Sequence, residues 1–261
     1  MSPILAKNIL LISGAFHHAS YWEDWKTFFS VRGYKVLTPS WPFRNVDSET
    51  LRSRHPDPLT ASVRLNTLID FYGGIIEELS EPPILIGHSL GGLLVQLLQQ
   101  RYTIAAGVIM NSIPPKGIFP LNFTYYATLL RARGIFSSQR GSLLMPIRLW
   151  RKVMVNGLSS DEQKSTYDKY AVPESNALLS DIFTAKARID FTKPHVPLLF
   201  IAGGKDRFVP AAVNYRNYKG YTHKDSVTIY KEYDGNNHFF LQQQGWEISA
   251  EFIYNWLNQI P

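Results

Sequence analysis

Cysteine is missing altogether from the 261 residues. Its absence excludes disulfides, thiolate metal sites and a cysteine nucleophile, and makes a reducing compartment the expected one. Any nucleophile must be an oxygen or a nitrogen. Long apolar runs are missing too: no stretch approaches the roughly 18 residues of a membrane span. Only Ile9, Leu10, Leu11 and Ile12 precede Ser13 and Gly14, too short a run for the apolar region of a signal peptide. The expectation is a soluble, cytoplasmic protein with no membrane span. A disordered chain is excluded as well, because 45% of the residues are hydrophobic, enough to build one substantial core.

Acidic residues are scarce in one region. The formal net charge is +6, and between Lys116 and Lys152 stand Lys116, Arg131, Arg133, Arg140, Arg148, Arg151 and Lys152, with no acid until Asp161. Such a run could face nucleic acid. Leu, Phe, Tyr and Trp are interleaved with it, however, in the manner of an amphipathic helix pair, so the reading adopted is a solvated outer face with no nucleic-acid partner.

Short apolar runs alternate with helical patterns, which predicts parallel βαβ units. Candidate strands are 8–13, 35–38, 84–87, 105–111, 197–202 and 226–230. Between them, Leu65, Leu68, Tyr72, Ile75 and Leu79 advance by three and four, the stripe of a helix laid on a sheet. Residues 90–98 are apolar on almost every side and predict a central, buried helix. Residues 246–257 predict a closing amphipathic one. The rhythm breaks between Ile113 and Lys193, where helical patterns and many aromatics carry no convincing strand. This predicts a helical insertion: a core domain of 1–112 and 194–261, and a helical cap of 113–193. The proline-rich loop at 39–58 is long, and long ordered loops are often functional.

The sharpest local signal is Gly87-His88-Ser89-Leu90-Gly91 between a predicted strand and a predicted helix. A serine on a strained turn needs small neighbours on both sides so that strand and helix can approach each other. At the start of the following helix, the Leu90 N–H points where an oxyanion would form. Serine is a poor nucleophile without a base, so a histidine and an orienting acid are required. Of seven histidines, only His238 follows the last predicted strand and precedes the last helix. In a parallel sheet that loop lies at the same edge as Ser89. Among acids, Asp206 sits in a glycine-rich turn just after the strand at 197–202. Asp190 precedes its strand, and Asp234 follows the last one; both remain in reserve.

Gly87-His88-Ser89-Leu90-Gly91-Gly92, the Asp206 turn and Asn237-His238 together resemble the α/β-hydrolase superfamily, with alternating strands and helices extending the likeness over essentially the whole chain. The resemblance implies an α/β fold: a mostly parallel sheet of about six strands, helices on both faces and an inserted helical cap. It also implies the chain order Ser89, Asp206, His238 for a catalytic triad. Relatives usually carry His-Gly after the first conserved strand, where this chain has Ser13-Gly14. The residue after that pair supplies the second oxyanion N–H, which the resemblance carries onto Ala15. The two leading antiparallel strands of larger relatives are expected to be absent.

The activity so implied is hydrolysis of a small carboxylic ester or lactone through an acyl-enzyme on Ser89, needing neither metal nor organic cofactor. Phe119, Phe123, Tyr125, Tyr126, Phe136 and Trp150 of the cap are candidates for an apolar pocket, with internal packing as the alternative. Phe16, His17, Trp41 and Phe208 belong to loops at the catalytic edge and could line the same space. Other members of the superfamily cleave C–C bonds or macrolactones, or act as cofactor-free perhydrolases. The related lyases carry a lysine just after the catalytic histidine, where this chain has Phe239. A small-molecule receptor or pseudoenzyme that keeps the triad is the alternative of another class.

Overall fold

The computed structural model describes residues 4–118 and 141–259. Its strands are β1 (Asn8–Ile12), β2 (Lys35–Leu37), β3 (Ile84–His88), β4 (Ala106–Met110), β5 (Ser142–Leu143), β6 (Glu174–Ser175), β7 (Leu198–Gly203) and β8 (Thr228–Tyr233). Its helices are α1 (Glu23–Ser30), α2 (Ser48–Ser53), α3 (Pro58–Ser62), α4 (Leu65–Glu78), α5 (Leu90–Leu98), α6 (Ile147–Val153), α7 (Ser160–Tyr170), α8 (Asn176–Asp181), α9 (Ala211–Gly220) and α10 (Trp246–Gln259). Six strands form one parallel sheet in the order β2-β1-β3-β4-β7-β8. The α/β class and its predicted parallel sheet are therefore present.

Burial explains the sequence of each strand. In β1, β3, β4 and β7 every residue is buried, because helices cover both faces and leave no side for a polar alternation. The edges differ. In β8 every residue is partly or fully exposed, with Lys231 and Glu232 in the strand itself, where charge on an edge discourages pairing with another chain. That is why the strand runs on to Tyr233, beyond the expected end at 230: at an edge the apolar pattern that marks a strand is lost. Around the sheet, α1 packs with α10 and α4 with α5.

Helix α4 shows the expected stripe with a shift. Leu68, Ile69, Tyr72 and Ile76 are buried, whereas Ile75 is only partly so. Leu79 is already extended and closes the helix two residues before Glu81-Pro82-Pro83, since a residue preceding proline disfavours helical backbone. Two further differences come from short elements. The stretch expected to be a loop at 39–58 folds into α2 and the start of α3, capped by Asp47 and Asp57, whose carboxylates accept the N–H groups of Thr50, Leu59 and Thr60. The segment expected to lack strands carries the antiparallel pair β5 and β6, with two residues in each strand. Two residues are too few to leave an apolar signature.

Among the described residues, no helix is long and apolar enough to cross a membrane. Of the cations in the acid-free stretch, Arg148 and Lys152 are exposed on α6, while Arg131, Arg133 and Arg140 lie outside the described residues.

Candidate active site

The winding of the sheet selects the place. The order β2-β1-β3 puts β2 on one side of β1 and β3 on the other, so the chain reverses its direction of travel at β1, and open α/β sheets bind their ligands beyond the strand ends at such a switch point. Two loops border it: residues 13–18 after β1, and the turn from β3 into α5.

Ser89 stands at that turn with φ 56° and ψ −117°, a left-handed conformation that costs a non-glycine residue strain. Its N–H donates to the Met110 carbonyl of the neighbouring strand at 2.9 Å, and its carbonyl accepts from Gly92 and Ile113. The turn is possible because of its glycines. A Cβ on Gly87 would lie 2.2 Å from the Gly91 carbonyl oxygen, and one on Gly91 would lie 2.1 Å from that of Ile12. Backbone therefore touches backbone where β1, β3 and α5 converge. Gly14 closes the other side, since a Cβ there would meet the Cβ of Ser89 at 2.7 Å. The peptide that carries the Ala15 N–H is thus beside the serine, and the Leu90 N–H opens the first turn of α5 next to it.

His238 follows β8 and faces Ser89. Its Nε2 is 3.1 Å from Ser89 Oγ, and its Nδ1 is 2.7 Å from Asp206 Oδ2. Asp206 follows β7, and its other oxygen accepts the N–H groups of Phe208 and Val209, each at 2.7 Å. A carboxylate on Nδ1 fixes the tautomer with its proton there, leaving Nε2 as an acceptor for the serine hydroxyl. The Asp206 and His238 side chains are fully buried. Burial pushes the Asp206 carboxyl up, and the imidazole and the two amide donors pull it back down. Asp190 and Asp234 are both exposed, and the Asp190 carboxylate turns to Thr192.

Two more histidines surround this trio. The His88 ring centroid lies 4.8 Å from that of His238, and His88 Nε2 donates to the His238 carbonyl at 2.9 Å. His17 lies 6.5 Å from His238 by ring centroid and donates from Nδ1 to the Ala15 carbonyl at 2.9 Å. Burial, with repulsion from His238, holds His17 down to about 3 and His88 well below the usual imidazole range, so both are neutral. Among the described residues, no group of three or more His, Asp or Glu is placed to hold a metal ion.

The other candidates divide. Phe208 packs its ring 4.9 Å from that of His238, and Trp150 packs 5.1 Å from His17 and is fully buried. Phe16 is buried with φ 65°, and its N–H donates to Glu174. Trp41 places its ring against the Arg44 guanidinium, 4.7 Å away. Tyr126 lies outside the described residues, as do Phe119, Phe123, Tyr125 and Phe136.

Several residues that hold the site in place escaped sequence reasoning. Asn111 accepts the Gly203 N–H and donates to the Asn237 carbonyl, joining the end of β4 to the loops that carry Asp206 and His238. Asn237 donates to the Asn156 carbonyl, and Asn156 in turn donates to that of Lys205. The Phe239 N–H reaches the Met154 carbonyl. No local pattern signals these contacts, because each partner is remote in sequence.

The family profile described as the alpha/beta hydrolase family matches residues 9–248. The chain belongs to that family. No curated protein is recognisably similar to it by sequence. Among solved structures, a polyneuridine aldehyde esterase aligns with a TM-score of 0.70 at 15% identity, over 96% of this chain and 98% of its own. A pyrethroid hydrolase from Sphingobium faniae aligns with a TM-score of 0.69 at 17% identity, over 97% of this chain and 98% of its own. A monoacylglycerol lipase from Paleococcus ferrophilus gives 0.66 at 20% identity, over 100% and 96% respectively. At these identities the likeness is one of fold.

Proposed function

We propose that the protein is a serine hydrolase of small carboxylic esters or lactones. The observation that carries this reading is the buried His238 imidazole, within hydrogen-bond reach of Ser89 Oγ on one side and Asp206 on the other. Names of similar structures, an esterase and a lipase among them, agree with an ester substrate. Ser89 Oγ attacks the acyl carbon while its proton passes to His238 Nε2, and the carbonyl oxygen becomes an oxyanion in front of the Leu90 and Ala15 N–H groups. Collapse expels the alcohol, which takes the proton from His238. Water then attacks the acyl carbon, delivers its proton to His238, and releases the acid as Ser89 recovers its hydrogen. Asp206 keeps the imidazole oriented and stabilises its charged form.

Residues 113–193 act as a cap over this site on the same reading. The pairing of residues 16–18 with 170–172 supports that role, as does the Met154 carbonyl on Phe239. Phe208, Trp150 and His17 furnish an apolar wall that excludes water.

A panel of p-nitrophenyl esters and lactones tests the proposal. The wild-type protein is expected to turn over repeatedly, and Ser89→Ala to lose about 10⁴-fold or more in kcat without loss of fold. Ester turnover that survives in the purified variant would remove Ser89 from the mechanism. Stoichiometric binding with no turnover by the wild type would make the protein a receptor.

A further inference from the structure

We propose that Glu174 is a positioning residue for the oxyanion site, acting through the amide of Phe16 and held in place by Arg44. The inference rests on the ester-hydrolase reading and extends it to a residue far from the triad.

Glu174 lies in β6, and its side chain is fully buried. One carboxylate oxygen accepts from Arg44 Nη2 at 2.6 Å and from the Ser175 N–H at 2.9 Å. The other accepts the Phe16 N–H at 3.2 Å. Arg44 is itself 3% exposed, and its Nη2 also donates to the Pro173 carbonyl. A buried ion pair of this kind adds little net stability over apolar residues of the same volume, so its presence calls for a positional reason.

Phe16 supplies that reason. Its φ of 65° is unfavourable for a bulky residue and persists only where the surroundings impose it. The preceding residue is Ala15, whose N–H is the second oxyanion donor. Rotation at Phe16 therefore swings the Ala15 peptide relative to Ser89. The segment that carries Glu174 grips the same loop at two further points. The His18 N–H donates to the Tyr170 carbonyl and the Val172 N–H to the Phe16 carbonyl, both at 3.0 Å, and together they pair His17 with Ala171 in antiparallel fashion. Backbone pairing fixes the run of the loop, while the carboxylate seizes the one amide at its left-handed residue. A charged acceptor makes a stronger bond to that amide than a neutral one.

The effect should appear in the transition state and not in ground-state binding, because the oxyanion forms only there. A trifluoromethyl ketone reports it directly: Ser89 Oγ adds to the ketone carbon, the serine proton passes to His238, and the former carbonyl oxygen occupies the oxyanion site. Two variants are compared with wild type. Glu174→Gln keeps the shape and offers a neutral acceptor. Arg44→Met together with Glu174→Met removes both charges, leaves no unpaired ion, and is expected to fold. On p-nitrophenyl butyrate, kcat should fall in the order wild type, Gln, double Met, by about 10- to 100-fold at the end of the series. KM should stay within about two-fold, and the inhibition constant of the trifluoromethyl ketone should rise by the same factor as kcat falls. Unchanged kcat in either variant, or lost kcat with undiminished ketone binding, would overturn the proposal. Loss of folding in the double Met variant would overturn it too, since the pair would then serve the fold. Failure of the hydrolase reading looks different, because the wild type itself would then hydrolyse without Ser89 or not at all.

Discussion

A neutral imidazole packed in an aromatic wall is a liability in acid. His17 is held at about 3, against an ordinary value near 6.5, mainly by burial and then by His238. Between those values the unfolded chain binds a proton that the folded one refuses. His17 therefore contributes stability in full above about pH 6.5 and loses it as pH falls towards 3, with a slope of up to about 1.4 kcal/mol per pH unit. Asp206, pushed up by burial, works in the opposite direction. Urea unfolding of wild type and His17→Phe at pH 7, 5.5 and 4.5 isolates the histidine. The wild type should lose more stability on acidification than the variant; parallel losses would show that His17 is protonated in the folded protein. A second residue-scale outcome separates the acids. Asp206→Asn should cost about 10²- to 10⁴-fold in kcat, because the imidazole loses its orientation, whereas exposed Asp190→Asn should stay near wild type. Comparable damage at Asp190 in steady-state assays would dissolve the Asp206 assignment.

Elements differ in how much space they leave a methyl group. Gly87→Ala would set a Cβ 2.2 Å from the Gly91 carbonyl oxygen, so β3 and α5 would have to part. A loss of at least about 2 kcal/mol is expected, read as a lower denaturation midpoint. Gly74 lies inside α4, where a Cβ would meet nothing within 4 Å. Gly74→Ala should raise stability by about 0.5–1 kcal/mol, since glycine in a helix interior pays more backbone entropy. A destabilised Gly74→Ala would mean that α4 is not a regular helix around that position. The same physics decides what could be read from the chain. The buried strands and α4 announce themselves because a covered face demands a continuous or periodic apolar pattern. The elbow announces itself because contact between backbones admits only glycine. Ser89, Asp206 and His238 were legible because each follows a strand in a parallel sheet, and such loops share an edge. Strands β5 and β6 were too short to show, and the end of β8 hid behind the charges of an edge. Glu174 stayed hidden for another reason: its partner Arg44 is 130 residues away, and an isolated Glu in a polar stretch looks like any solvated acid.

At the scale of the whole molecule, four loops and one longer segment of chain converge at one edge of the sheet. The loops after β1, β3, β7 and β8 carry Ala15, Ser89, Asp206 and His238, and the segment between β4 and β7 grips three of those loops through Tyr170–Glu174 and Met154–Asn156. On the proposed reading, the reacting groups and the cap are thus tied to each other by hydrogen bonds. The central claim is that an acyl group passes through Ser89, and rapid quenching of a reaction with a slowly deacylating p-nitrophenyl ester tests it most directly. Mass spectrometry of the digested protein should find the mass of one acyl group on the peptide that carries Ser89, in proportion to the burst of p-nitrophenol and absent from Ser89→Ala. A burst with the acyl group on another residue, or turnover with no burst and no acylated peptide, would contradict the account.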